Sequence, residues 1–199
     1  HKWDHIMSVL QEARVRELWI AAKGRAPGAA DVDAMYPEFT AIQIETLAHH
    51  SAVLPGVAET VAELGRRGIR YASTTGFDSG MMAHVKASAE AGGFHPEVFL
   101  CPDLVGGGRP APWMIYQAAK QMGLYPLRTF VKVGDTPIDI AEAQAAGTWA
   151  VSVVRTGNEI GLSEAALAAL EPEERERRAA AAREKFLGLG AHYVIDSVA

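Results

Sequence analysis

The chain opens with two stretches whose apolar residues recur at helical spacing. Ile6, Leu10, Val15, Leu18, Trp19 and Ala22 form an approximate stripe that ends before Gly24, and Pro27-Gly28 with the following Ala-Ala-Asp marks a break. A second helix is predicted over Val32 to Leu47, carrying Met35, Phe39, Ile42, Ile44 and Leu47. Pro37 disturbs its start, because proline removes a donor and crowds the preceding turn. No strand-like run occurs in this part, so it reads as a small helical unit.

After Pro55-Gly56 the pattern changes. A helix from Val57 to Arg67 closes at Gly68, and Ile69 to Ser73 reads as a strand leading into Thr74-Thr75-Gly76. A helix from Ser79 to Ala91, a short strand at Val98 to Leu100 and a glycine-rich loop ending Gly108-Arg109-Pro110 follow. Pro112 to Met122 is helical with proline in the first turn, where a missing N–H costs little. Thr129 to Gly134 is a strand, Ile138 to Ala146 a helix, Trp149 to Val154 a strand, and Tyr193 to Ile195 a last short strand. This alternation predicts a mostly parallel α/β sheet with right-handed crossovers. Ser163 caps a short helix, and the Glu-, Arg- and Ala-rich stretch from Glu171 to Arg183 reads as a solvent-facing helix.

Composition narrows the function classes. The 199 residues carry a formal net charge of -5, which argues against nucleic acid as the main partner. The single cysteine, Cys101, excludes an intrachain disulfide framework and fits a cytoplasmic location. Nothing reaches the roughly 20 apolar residues of a membrane span.

Three predicted strand ends carry candidate chemistry. Asp135 ends the strand Val131 to Gly134, and Asp139 falls in the first turn of the next helix. Two carboxylates there can offer hard oxygen to Mg²⁺, or Asp139 can simply favour the helix N-terminus. Ser73-Thr74-Thr75-Gly76 offers hydroxyl and backbone donors to phosphate oxygens, and equally has ordinary turn chemistry. Arg109 can neutralise phosphate or an acidic cluster, or lie on the surface. Together, an oxyanion cradle, a cation and a carboxylate pair are the ingredients of metal-assisted phosphoryl transfer. Lys2 and His5 are three apart and can share a helix face, where a desolvated lysine can attack an aldehyde and a histidine can move a proton. The plain alternative is a pair of exposed terminal side chains. Cys101 reads as a structural cysteine or a surface thiol.

These segments resemble the phosphonoacetaldehyde hydrolase (phosphonatase) family of the haloacid dehalogenase superfamily. The resemblance rests on Lys2-Trp3-Asp4-His5, Ser73 to Gly76, Gly108-Arg109-Pro110-Ala111-Pro112-Trp113-Met114, and Val133-Gly134-Asp135-Thr136 with Asp139. It implies a Rossmannoid α/β core (54–199) with a small helical cap (1–53), Mg²⁺ as cofactor, and a homodimer formed through the cap. It also implies roles. Lys2 would form a Schiff base with the substrate aldehyde, with His5 assisting proton transfer. Ser73, Thr74, Thr75, Gly76 and Arg109 would hold the phosphonate, and Asp135 with Asp139 would serve the metal. The family cleaves the carbon–phosphorus bond of phosphonoacetaldehyde to acetaldehyde and phosphate, with an aspartate accepting the phosphoryl group.

Two departures qualify the expectation. Phe77 stands where related enzymes can carry tyrosine. The family's opening strand, ending Asp-x-Ala-Gly-Thr-Thr with the nucleophile, does not occur in these 199 residues. In the related fold that strand lies at the sheet centre, so the expectation is a core lacking its first strand. Such a core would close around a cavity, exchange strands with another copy, or need a further peptide, and would have little or no phosphonatase activity alone. The competing functions are a phosphatase or phosphomutase of the same superfamily, and a non-catalytic phosphonate-binding or assembly protein.

Overall fold

A computed structural model describes residues 2–199, with the side chains of all of them except Lys2, Ala48 and Glu164. The N-terminal part forms α1 (Lys2–Gln11), α2 (Ala13–Lys23) and α3 (Ala29–His50). The stripe expected to make one helix is therefore two, because Glu12 leaves the helix with ψ near 132°. Leu10 is buried, but α2 buries none of its residues and Leu18 remains 63% exposed. α3 runs through Pro37 and starts earlier than predicted, where the Asp31 carboxylate accepts the Gly28 N–H at 2.9 Å. Arg25 grips the same carboxylate and holds it down to about 2, mainly through that hydrogen bond.

The rest alternates helices and parallel strands: α4 (Val57–Arg66), β1 (Ser73–Thr74), α5 (Ser79–Ala91), β2 (Phe99–Leu100), α6 (Pro102–Val105), α7 (Trp113–Met122), β3 (Val131–Gly134), α8 (Pro137–Ala146), β4 (Trp149–Val153), α9 (Glu164–Ala168), α10 (Pro172–Gly188) and β5 (Tyr193–Ile195). Each turns where local chemistry dictates. Asp78 caps α5 by accepting the Met81 N–H at 2.9 Å, and Ser163 caps α9 through Ala166. Pro137 sits at the first turn of α8 behind Thr136, and Gly147 closes that helix at φ 71°.

The strands make two separate parallel sheets, β1-β2 and β3-β4-β5. Each has its own core. Val98, Leu100, Met114, Ala118 and Met122 pack β2 against α7, while Ile140, Ala143, Ala150, Val154, Ala179, Ala182 and Phe186 pack α8 and α10 on the larger sheet. α10 is thus not the solvent-facing helix its composition implied: Ala179, Ala182 and Phe186, at helical spacing, bury one stripe. Between the sheets lies a groove of about 820 Å³. It is lined by Tyr71 to Thr74 on one side and Phe130 to Val133 on the other. Strand β1 is also shorter than predicted, although Glu97 still donates its N–H to the Tyr71 carbonyl. No helix among the described residues is long and apolar enough to cross a membrane.

Candidate active site

The carboxyl ends of β1 and β3 open on the same side and bring most of the predicted residues together. Thr75 follows β1, donates its N–H to the Leu100 carbonyl, and accepts the Phe77 N–H on its hydroxyl at 3.1 Å. The next residue, Gly76, lies against the Arg109 guanidinium, which a side chain at position 76 would touch. Arg109 in turn reaches the Asp139 carboxylate at 2.5 Å. The cradle, the cation and one of the two acids therefore form one cluster.

Asp139 is 4% exposed and fully engaged. It accepts from the Thr136 hydroxyl and N–H at the start of α8, and it pairs with both Arg109 and Lys132. Burial alone would push its carboxyl up. Lys132, Arg109 and Thr136 outweigh that, and the carboxyl sits below the ordinary aspartate value. Gly134 makes the fit possible, since a Cβ there would overlap the Asp139 carboxylate.

Lys132 and Glu142 belong to the cluster and were not singled out from sequence. The Lys132 amine lies 2.9 Å from the Thr74 hydroxyl, 3.1 Å from Asp139 and 3.0 Å from Glu142. Glu142 is fully buried, and neither of its oxygens has an aligned hydrogen-bond donor among the described residues, so its link to Lys132 is an ion pair. The sequence did carry a signal. Lys132 interrupts an otherwise apolar strand, and Glu142 stands three residues after Asp139 on one helix face.

Asp135 is partly exposed at the end of β3, where its carboxylate accepts from the Asn158 N–H at 2.9 Å and side-chain amide at 2.6 Å. Asn158 was also not anticipated. Among the described residues no group of three or more His, Cys, Asp or Glu is placed to hold a metal. The donors fit Mg²⁺ only in part: Asp135 offers a hard oxygen at the strand end, whereas Asp139 is committed to two cations.

Lys2 and His5 both fall on α1. His5 is exposed on α1, and the Lys2 side chain lies outside the described residues. α1 packs on α2 and α3, where Trp3 donates to Asp33 at 2.8 Å, and α3 packs on α5 next to the cradle. The Tyr36 phenol of α3 is raised first by burial and then by Asp78, the cap of α5. Cys101 is buried, and burial followed by Asp103 and Asp78 pushes its thiol up to about 11, which leaves it a structural residue.

A parallel α/β core with helices before it, and acids and cations gathered at its strand ends, is the arrangement expected of a haloacid dehalogenase-like hydrolase. Residues 4–147 match the model of that class, described as haloacid dehalogenase-like hydrolase. Within it, the chain belongs to the phosphonoacetaldehyde hydrolase family. It is 39% identical over 197 residues to a phosphonoacetaldehyde hydrolase of Bacillus cereus, covering 99% of this chain and 75% of that one. It is 41% identical to one from Paraburkholderia phytofirmans, covering 100% of this chain and 74% of the relative. The crystal structure of a phosphonoacetaldehyde hydrolase-like protein from Oleispira antarctica superposes with a TM-score of 0.93 at 34% identity, covering 99% of this chain and 71% of that one. The chain thus spans about three quarters of these relatives' length.

Proposed function

We propose that residues 1–53 form a helical cap and 54–199 the larger part of a core that serves hydrolysis of phosphonoacetaldehyde to acetaldehyde and phosphate. The observation that carries this reading is the convergence of Thr75, Gly76, Arg109 and Asp139 where β1 and β3 end on the same side, in a chain that shares about two fifths of its residues with phosphonoacetaldehyde hydrolases.

In this reading the Lys2 amine attacks the aldehyde carbon and loses water to form an imine, with His5 moving the protons. The imine draws off the electron pair left when the carbon–phosphorus bond breaks, so the leaving carbon becomes an enamine instead of a bare carbanion. Ser73, Thr74, Thr75 and Gly76 orient the phosphonate oxygens, and Arg109 balances their charge. Mg²⁺, when bound through Asp135 with Asp139 behind it, would neutralise the phosphoryl group. The phosphoryl group also needs a carboxylate acceptor. Asp139 is spent on Arg109 and Lys132 and does not fill that role, so in this reading the acceptor is a carboxylate of the family's opening strand, which these 199 residues do not contain.

The test is twofold. Borohydride added to the purified 199-residue chain with phosphonoacetaldehyde is expected to fix the aldehyde on Lys2, seen as a mass increase on its tryptic peptide that Lys2→Arg abolishes. Phosphate release by the same chain is expected to stay at background. Release at an enzyme-like rate would remove the need for an external acceptor, and absence of the adduct would remove the aldehyde chemistry. Hydrolysis of phosphate esters that survives Lys2→Arg would instead identify a phosphatase or phosphomutase, and binding of the phosphonate without an adduct a non-catalytic binding protein. The apolar residues left open on α2, Leu18 and Ile20, offer a surface for a cap-to-cap dimer.

A further inference from the structure

The loop that follows β4 meets the site at Asp135, and the proposed chemistry gives it no task. Asn158 donates to Asp135 twice, from its backbone N–H at 2.9 Å and from its side-chain amide at 2.6 Å. Both bonds end on the same carboxylate oxygen, Oδ2. The other oxygen, Oδ1, accepts no hydrogen bond and pairs with no cation among the described residues. The last torsion of an aspartate is broad and soft, so two donors converging on one oxygen decide how the carboxylate is turned.

The loop itself is held without the side-chain amide. Gly157 lies so close to its neighbours that a Cβ there would stand 2.6 Å from the Val153 carbonyl oxygen and 2.7 Å from the Asp135 Cβ. Asn158–Ile160 then makes one 3₁₀ turn, closed by Gly161 in the left-handed region at φ 69°. Ile160 is buried in the larger core with Ala182 and Phe186 of α10, and the Glu159 carboxylate pairs with Lys185 of the same helix. These anchors fix the backbone on both sides of Asn158. A latch in which Asp135 keeps the loop closed would therefore be redundant. The dependence runs the other way, from α10 through the loop to the carboxylate.

We propose that Asn158 is a positioning residue for Asp135, holding Oδ2 so that Oδ1 alone is offered to a divalent cation. The inference rests on the reading of Asp135 as a metal ligand given above. A carboxylate that binds through one oxygen suits Mg²⁺, which demands near-octahedral geometry at short range, whereas Ca²⁺ readily takes both oxygens of a carboxylate at once. With Oδ2 engaged by two donors, binding through both oxygens is disfavoured. The loop thereby sets ion preference as well as orientation. Hydrogen bonds behind a metal ligand carry much of the affinity, and losing one typically costs about 10–100-fold.

The probe is Mn²⁺, a paramagnetic stand-in for Mg²⁺, titrated into the 199-residue chain while the Gly134 and Thr136 amides are followed by NMR, where line broadening reports even weak occupancy. Broadening in the unsubstituted chain that Asp135→Asn removes is expected. Asn158→Ala, with amide shifts across α10 unchanged, is expected to need about tenfold or more Mn²⁺ for the same broadening. Asn158→Ser, which restores a side-chain donor, should recover part of that loss. Mg²⁺ and Ca²⁺ are then used to reverse the broadening. Mg²⁺ is expected to compete better in the unsubstituted chain, and Asn158→Ala to shift the balance towards Ca²⁺, which a merely loosened loop would not do. Equal Mn²⁺ demand with and without the Asn158 amide overturns the positioning role while leaving Asp135 a ligand. Absent broadening, or broadening that survives Asp135→Asn, overturns the metal role of Asp135 and the positioning role with it. Weaker binding with the Mg²⁺-to-Ca²⁺ balance unmoved overturns the one-oxygen geometry, and α10 amides that shift in Asn158→Ala would make the amide a latch for the loop.

Discussion

Lys132 is the residue on which most of the cluster's balance rests. Its amine faces two buried carboxylates and a hydroxyl, and Glu142 has no closer cation, since Arg109 stands 3.9 Å away. A buried ion pair gains little over apolar packing, but removing one partner strands the other. Lys132→Met keeps the volume and deletes the charge, and is expected to cost about 3–5 kcal/mol, read from the urea midpoint. A loss under about 1 kcal/mol would show that Arg109 alone holds both acids. The sequence made Asp135, Asp139 and the Thr75 loop legible because each stands at a strand end or in a helix's first turn, where ligand chemistry collects, and Arg109 because it closes a glycine-rich loop. Lys132 and Glu142 were hidden because their roles come from the third dimension: one lies within a strand, the other a turn inside a helix, and only packing of α8 on β3 joins them.

At the level of elements, helices with a start or stop signal were the readable ones. α5 runs from Ser79 to Ala91, bounded by Asp78 and Gly92, as its sequence implied. The break at Glu12 carries no proline, glycine or side-chain cap, and nothing local explains it. α10 misled in another way. Its charges pair along the helix, with Arg177 and Arg178 on Glu174, and mask a buried stripe made mostly of alanine. Phe186 supplies that stripe's bulk and is fully buried. Phe186→Ala is expected to cost about 3–5 kcal/mol, seen in thermal unfolding, against less than about 0.5 kcal/mol for the exposed Leu187→Ala. Comparable losses at both positions would mean that α10 packs less firmly than its burial indicates.

For the whole molecule, the consequence is two cores in place of one. The smaller is built on β2 and α7, the larger on β3, β4, β5, α8 and α10. The contacts joining them include polar links: Arg109 to Asp139, Lys132 to Thr74, and the Tyr116 hydroxyl to the Ala145 carbonyl at 3.3 Å. Cooperative unfolding relies on shared packing, so the halves are expected to come apart in separate steps. Single-tryptophan variants retaining Trp113 on α7 or Trp149 on β4 should give different urea midpoints. Coincident midpoints would show that the polar links couple the halves fully. The parallel alternation was legible over the whole core from its apolar runs, whereas the resemblance implied only a core lacking its first strand, and no local pattern announced the division into two sheets.

The Lys132–Thr74 contact has one more consequence. A lysine side chain has a fixed number of methylenes, so while the Lys132 amine, rooted in β3, stays bonded to Thr74 of β1 it limits how far those two strands can part. Shortening that tether by a single carbon would therefore lose the Thr74 bond or draw β1 and β3 closer at that point.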